Sequence, residues 1–257
     1  MPSGGSLTIV GTGIQLGVHL TPEARAAIEQ ADEVLFVVAD TLTAAWLQEL
    51  NPKARSLASL YEPGKYRLDT YNEMVEEILA GVRAGKDVCV AFYGHPGVFV
   101  YPGHEAVGRA RAEGFSARML PAISTLDCLV ADIGIDPART GMQSYEASDF
   151  LLHLREPDPA ALVVLWQIGV VGELSYVEEA DTEGLTVLVE YLLDFYPPEH
   201  EVIVYEASPF VVSEPNVIRV PLREVAEARI PPISTMVVPP AIRRPQDAAM
   251  AERLGVA

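Results

Sequence analysis

Tyr93-Gly94-His95-Pro96-Gly97-Val98-Phe99-Val100 is the stretch on which the fold reading turns. It follows the apolar run Val88-Cys89-Val90-Ala91-Phe92, which reads as a buried strand. Two glycines and a proline then impose an irregular turn, leaving backbone amides and carbonyls free to meet a ligand. Open α/β sheets bind small molecules at the carboxyl ends of their parallel strands. An aromatic-flanked Gly-Pro loop in that place is a candidate ligand loop.

Outward from this loop, the first half of the chain alternates strand and helix signals. Leu7–Val10 is a strand ended by Gly11-Thr12-Gly13, and Thr21-Pro22 opens a helix to Gln30 with threonine as cap and proline at the first position. Glu33–Val38 reads as a strand, Thr43–Leu50 as a helix stopped by Asn51-Pro52, and Ser56–Leu60 as another strand. Thr70 with Glu73 forms a capping-box pattern, and Tyr71, Met74, Val75, Ile78, Leu79 and Val82 follow at helical spacing. A helix near His104–Ala112, a strand Ala117–Leu120 and a helix around Ser124–Ala131 complete a series of βα units, which predicts a largely parallel, helix-covered sheet.

Breakers from Gly134 to Gly141 mark a boundary, predicting one α/β domain over residues 1–136 and a second over 137–257. In the second, Leu162–Ile168, Glu201–Glu206, Val217–Val220 and Thr235–Val238 read as strands, and Leu185, Leu188, Val189, Leu192 and Leu193 as a helix face. Strand signals outnumber helices there, so the expectation is a mixed sheet. Arg243–Ala257 is compatible with a short helix.

Composition narrows the function classes. The 257 residues carry 49% hydrophobic content, ample for a packed core, and a formal charge of -18. That charge speaks against nucleic acid as partner, since phosphate binding needs clustered Lys and Arg. No apolar run is long enough to span a bilayer, and Met1-Pro2-Ser3-Gly4-Gly5 lacks an export pattern, so a cytoplasmic, membrane-free protein is expected. Cys89 and Cys128 read as buried free thiols, and no His or Cys spacing suggests a metal site.

Gly11-Thr12-Gly13-Ile14-Gln15-Leu16-Gly17 invites a dinucleotide reading, but its third glycine is one position late and the helix waits until Thr21-Pro22. Tyr61, Arg67 and Tyr71 gather phenols and a guanidinium around a helix start. By spacing alone Tyr71 is the first apolar residue of a helix face and Arg67 a solvated charge. Together they also suit chemistry in which a guanidinium favours a phenolate or holds a carbonyl oxygen. His95 suits positioning of a ligand more than proton transfer. Ser124-Thr125 reads as a helix cap and Ser234-Thr235 as a strand start.

These segments together resemble the tetrapyrrole methylase superfamily, whose members bind S-adenosylmethionine. Within it, the chain looks most like the borosin, omphalotin-type peptide α-N-methyltransferases. The resemblance is carried by Gly5–Gly13, Arg67-Leu68-Asp69-Thr70-Tyr71, Tyr93–Val100, Arg118-Met119-Leu120-Pro121, Tyr145–Phe150 and Ser234-Thr235. It implies two α/β domains with S-adenosylmethionine in the cleft between them, S-adenosylhomocysteine as product, and a homodimer. It implies Arg67, Tyr71 and Tyr93 as catalytic, with Tyr61 as accessory. Cofactor contacts would come from Tyr93, His95, Val98, Phe99, Ser124, Thr125, Gln167, Ala207, Ser234 and Thr235.

The sequence ends soon after Pro239-Pro240, similar to the split borosins, so the expected substrate is a separate precursor peptide, in a complex of up to two enzyme and two precursor chains. Two rival readings stay beside this one. They are a porphyrinoid C-methyltransferase and a non-catalytic module that binds S-adenosylmethionine or a peptide.

Overall fold

The computed structural model describes residues 4–176, 183–228 and 230–256. They fall into two compact units. The first is built on the chain as far as Gly134 and also takes in the stretch that begins at Glu173 and the segment Ala207–Pro215; the second holds the remainder.

In the first unit, β1 (Ser6–Gly11), β2 (Glu33–Val37), β3 (Ala54–Ser56), β4 (Asp87–Phe92) and β5 (Ser116–Met119) form one sheet in the order β3-β2-β4-β1-β5. Every pairing in it is parallel. Side-chain alternation divides β4 between two helical layers. Val88, Val90 and Phe92 join α3 (Arg67–Arg83) and α4 (Tyr101–Ala112) in one core, through residues such as Met74, Ile78, Ala106 and Ala110. Cys89 and Ala91 join α1 (Pro22–Gln30) and α2 (Thr41–Leu50) in the other, with Ala24, Ile28 and Leu47. The Asn51 carboxamide donates to the carbonyls of Ile28 and Ala31, tying the ends of those two helices together.

This layering creates a switch point. Neighbouring parallel strands β1 and β4 send their chains to opposite faces, β1 to α1 and β4 to α4. The crevice outside their carboxyl ends is where doubly wound sheets bind ligands. The loops leaving the two strands meet there: Gly13 N–H donates to Gly94 O (3.2 Å) and Gly94 N–H to Gly13 O (3.0 Å).

Two local expectations for this unit are corrected. Strand β3 stops at Ser56, because the Ser56 hydroxyl accepts from Ala58 N–H and turns the chain into a 3-10 segment, Ala58–Leu60. The Thr70–Glu73 capping box does not form. α3 begins three residues before Thr70, capped by backbone from far along the chain, with Arg67 N–H donating to Leu174 O (3.0 Å). Thr70 is fully buried, its hydroxyl without a partner among the described residues, and Glu73 pairs with Lys65 instead.

The second unit is a mixed sheet, ordered β6-β7-β10-β8-β9, from β6 (Met142–Glu146), β7 (Leu162–Trp166), β8 (Glu201–Glu206), β9 (Asn216–Pro221) and β10 (Thr235–Val238). Strands β6 and β7 pair in parallel, and the other pairings are antiparallel. One face packs Val163, Leu165, Val202, Val204, Met236 and Val238 against α6 (Ala147–Leu152) and α7 (Glu183–Leu193). Strand β6 and helix α6 had no sequence signal. β6 is an edge strand of half-buried residues, and α6 is capped by the Glu146 carboxylate, an atypical cap. The tail forms α8 (Ala248–Leu254), whose N-cap is Asp247, with its carboxylate accepting from Met250 N–H (2.8 Å).

Candidate active site

Helix α3 leads through Ala84-Gly85-Lys86 into β4 at the amino edge of the parallel sheet, so its first turn lies toward the carboxyl edge. A short backbone strap fastens that turn. Gly64 N–H donates to Tyr176 O (3.1 Å), Tyr176 N–H to Lys65 O (2.9 Å), and Arg67 N–H to Leu174 O. Arg67 and Tyr71 are one turn apart, on one face of α3. The Tyr61 ring meets Tyr71 edge-on, with centroids 6.4 Å apart and planes at 90°. Tyr176 lies against Tyr61 at 5.1 Å, and Tyr101 stacks on Tyr71 at 6.3 Å.

Burial raises the Tyr61 phenol well above the usual tyrosine range, and the neighbouring Tyr71 adds to this while the Arg67 guanidinium opposes it. Tyr61, Arg67 and Tyr71 are thus one cluster. Tyr93 is not part of its packing. Tyr93 directly follows β4, with its N–H donating to Val37 O (3.0 Å). Burial pushes the Tyr93 phenol up to about 12, and Cys128 and Asp40 act in the same direction. The Tyr93 phenol is therefore protonated at neutral pH.

The loop after Tyr93 is internally tied. His95 Nδ1 accepts from Gly97 N–H (3.0 Å), which leaves Nε2 to carry the proton when the ring is neutral. The His104 ring holds Gly97 O at 2.8 Å. Val98 and Phe99 are exposed, and Phe99 has a positive φ of 55°. A bulky side chain in the left-handed region is strained, as found at ligand clamps.

Ser124 caps α5 (Thr125–Ile133) in a full capping box, its hydroxyl and N–H both donating to Asp127 Oδ2 at 2.7 Å. Hydrogen bonds from Ser124 hold the Asp127 carboxyl below its usual range against the effect of burial. Beside this cap is a cavity of ≈ 270 Å³ whose lining includes Gln15, His19, Asp127, Asp132, Ala207 and Ser208. His19 accepts two backbone N–H bonds at Nδ1, from Ile14 and Gln15, and burial lowers its pKa, so its ring adds no charge at neutral pH. Ala207, expected in the second domain, groups with the first unit.

The remaining candidates meet in the second unit. Gln167, at the end of β7, is exposed and has a positive φ of 60°. Ile168 N–H donates to Ser234 O (3.1 Å), and buried Ser234 donates its hydroxyl to Glu206 Oε1 (2.7 Å). Thr235 opens β10 and pairs with Tyr205. Antiparallel pairing brings the ends of β7 and β8 to the start of β10, so Gln167, Glu206 and Ser234 converge.

Sequence reasoning missed Glu206, Asp127, Tyr101 and Tyr176. Asp127 had a usable signal, three residues after Ser124 in a capping-box pattern. The others depend on contacts between segments distant in the chain.

The family model for Tetrapyrrole (Corrin/Porphyrin) Methylases matches residues 6–226. The chain belongs to this family. The structure is similar to that of the uroporphyrin-III-C-methyltransferase from Thermus thermophilus, with a TM-score of 0.64 and 19% identity over 96% of this chain and 99% of that one. It is also similar to a diphthine synthase, with a TM-score of 0.61 and 18% identity over 93% and 91% of the two chains. At such identities the likeness concerns the fold.

In sequence, the chain is 42% identical over 247 residues to a methyltransferase/ribosomally synthesized type I borosin cyclic peptide precursor of Coprinopsis marcescibilis, covering 93% of this chain and 63% of that one. It is 40% identical over 255 residues to the methyltransferase/omphalotin A precursor of Omphalotus olearius, covering 97% and 61%. The chain thus spans less than two thirds of the length of these relatives, each of which is named as methyltransferase and precursor together. Among the described residues, no helix is long and apolar enough to cross a membrane.

Proposed function

We propose that this chain is an S-adenosylmethionine-dependent methyltransferase that methylates backbone amide nitrogens of a peptide. The observation that carries the reading is the Arg67–Tyr71–Tyr61 cluster at the start of α3, in the same unit as the Gly13–Gly94 switch point. The borosin-type relatives, at 42% and 40% identity, support a peptide over a porphyrinoid.

The donor chemistry fits the residues present. S-adenosylmethionine carries a sulfonium and an ammonium group, and the carboxyl groups of Asp127 and Asp132 line the cavity beside Ser124. The strained backbones at Phe99 and Gln167 are consistent with clamps on a ligand. In this reading His95, Val98, Phe99, Ser124, Thr125 and Ala207 of the first unit hold the donor. Tyr93 contributes to the same contacts. The donor supplies an electrophilic methyl group.

A peptide nitrogen is a poor nucleophile because its lone pair is delocalised into the carbonyl. Activation requires removing the N–H proton while charge on the carbonyl oxygen is held. Tyr61 and Tyr93 are kept protonated by burial and serve as hydrogen-bond donors. Tyr71, entering the step as phenolate beside the Arg67 guanidinium, takes the N–H proton and becomes a phenol, whose proton is afterwards lost to solvent. The planar guanidinium presents forked donors to the amide oxygen as it takes up charge. Fixing nitrogen in line with the methyl contributes heavily, since positioning supplies roughly 7–11 kcal/mol in favourable cases.

The test is to incubate the purified chain with S-adenosylmethionine and peptides encoded beside its gene, then locate methyl groups by tandem mass spectrometry. Methyl on backbone nitrogen is expected. Methyl only on a side chain or on an added porphyrinoid, or on nothing, overturns the reading. Supplying the peptide as a separate chain tests the split arrangement at the same time. Sedimentation of the enzyme with and without that peptide tests the homodimer and its complex with two precursor chains.

A further inference from the structure

We propose that Tyr101 is a positioning residue that sets the orientation of Tyr71 from the donor loop; the proposal rests on the role given to Tyr71 above. Tyr71 is held from two sides. Tyr61 meets it edge-on, while Tyr101 stacks on it with centroids 6.3 Å apart and planes at 30°. The Tyr101 hydroxyl also donates to Asn72 Oδ1 (3.3 Å), the residue next to Tyr71.

The position of Tyr101 is in turn dictated by the loop that ends at Val100. Tyr101 is the first residue of α4, and Val100 is its N-cap. The first turn of α4 is bonded to the loop at one point and closely approached by it at another. His104 Nε2 holds Gly97 O at 2.8 Å, and a side chain at Gly103 would come within 2.8 Å of Pro96 O. Thus one rigid piece of backbone carries Phe99 into the strained left-handed conformation and, two residues later, presents a ring to Tyr71.

Packing of the fold does not explain the ring. Tyr101 is 41% exposed, whereas the neighbouring α4 residues Pro102, Gly103 and Ala106 are buried. A stacked aromatic restrains the χ angles of its partner, and an acid–base group must be held close to its productive geometry. Tyr101 acts through Tyr71, so its loss affects turnover more than donor binding.

The experiment compares Tyr101→Leu with Tyr101→Phe in the full chain. Tyr101→Leu is expected to lower kcat roughly tenfold or more, with KM for S-adenosylmethionine and the calorimetric Kd for S-adenosylhomocysteine within about twofold of the unmodified protein. Tyr101→Phe keeps the stacked ring and restores kcat. In carbon-labelled tyrosine NMR, with Tyr71 assigned by loss of its signals in Tyr71→Phe, the Tyr71 ring signals split or broaden in Tyr101→Leu and stay single in Tyr101→Phe. Wild-type kcat in Tyr101→Leu, or equal losses in both variants, overturns the proposal. If the unmodified chain methylates no peptide, the proposed function fails, and the NMR comparison still decides positioning: unchanged Tyr71 signals in Tyr101→Leu overturn it.

Discussion

Gly13 and Gly94 exchange backbone hydrogen bonds across the switch point, joining the loop after β1 to the loop after β4. The close approach depends on Gly11, where a Cβ would lie 2.1 Å from Gly94 O and 2.6 Å from the Ala122 side chain. Gly11→Ala is expected to force the two loops apart, at a cost of about 1–3 kcal/mol in denaturant unfolding. Calorimetry with S-adenosylhomocysteine is expected to show binding lost. Gly108→Ala on α4, where a Cβ meets nothing within 4 Å, is the control and is expected to stabilise by about 0.5–1 kcal/mol.

Tyr71→Phe removes the proton acceptor while leaving the ring between Tyr61 and Tyr101. Single-turnover methyl transfer is expected to slow by about 10²–10⁴ with donor affinity retained. Arg67→Lys keeps the charge and loses the planar fork, so it is expected to be similarly defective. Unchanged single-turnover rates in Tyr71→Phe would remove Tyr71 as the base.

Phe99→Gly relieves a left-handed backbone at a side chain that is 53% exposed. The variant is expected to be more stable by roughly 0.5–1 kcal/mol in urea unfolding, and to bind the donor more weakly. Equal donor affinity would mean that the strain serves something other than donor binding.

Alkaline pH tests the buried phenols. Burial pushes Tyr93 and Tyr196 up to about 12, whereas an unfolded chain titrates its tyrosines near ~10. Between these values the folded protein binds more protons than the unfolded one. The associated stability is fully present below pH ~10 and is lost as pH rises through about 12. Thermal unfolding followed by circular dichroism is expected to show Tm falling across that window, less steeply in Tyr196→Phe. Tyr196 is 2% exposed, its hydroxyl without a partner among the described residues, so Tyr196→Phe is also expected to gain about 1 kcal/mol at neutral pH.

Much of this architecture was legible from local pattern. The Thr21-Pro22 start of α1, the strands Glu201–Glu206 and Thr235–Val238, and the irregular backbone of Tyr93–Val100 follow from capping chemistry, apolar runs and turn residues. The start of α3 was misread because a remote backbone carbonyl, Leu174 O, takes the place of a local cap. Strand β6 was invisible because a half-buried edge strand needs no apolar alternation.

By itself the sequence determined the βα order, the parallel first sheet, the mixed second sheet and the residue types available for chemistry, since these depend on interactions within a few residues. Tertiary structure alone decided which of those residues meet. It set the Tyr61 and Tyr71 rings edge-on and brought Tyr176 and Tyr101 against them. It also brought Glu206 to Ser234 through antiparallel pairing. Contacts between segments tens of residues apart are set by register and packing, which no local pattern encodes.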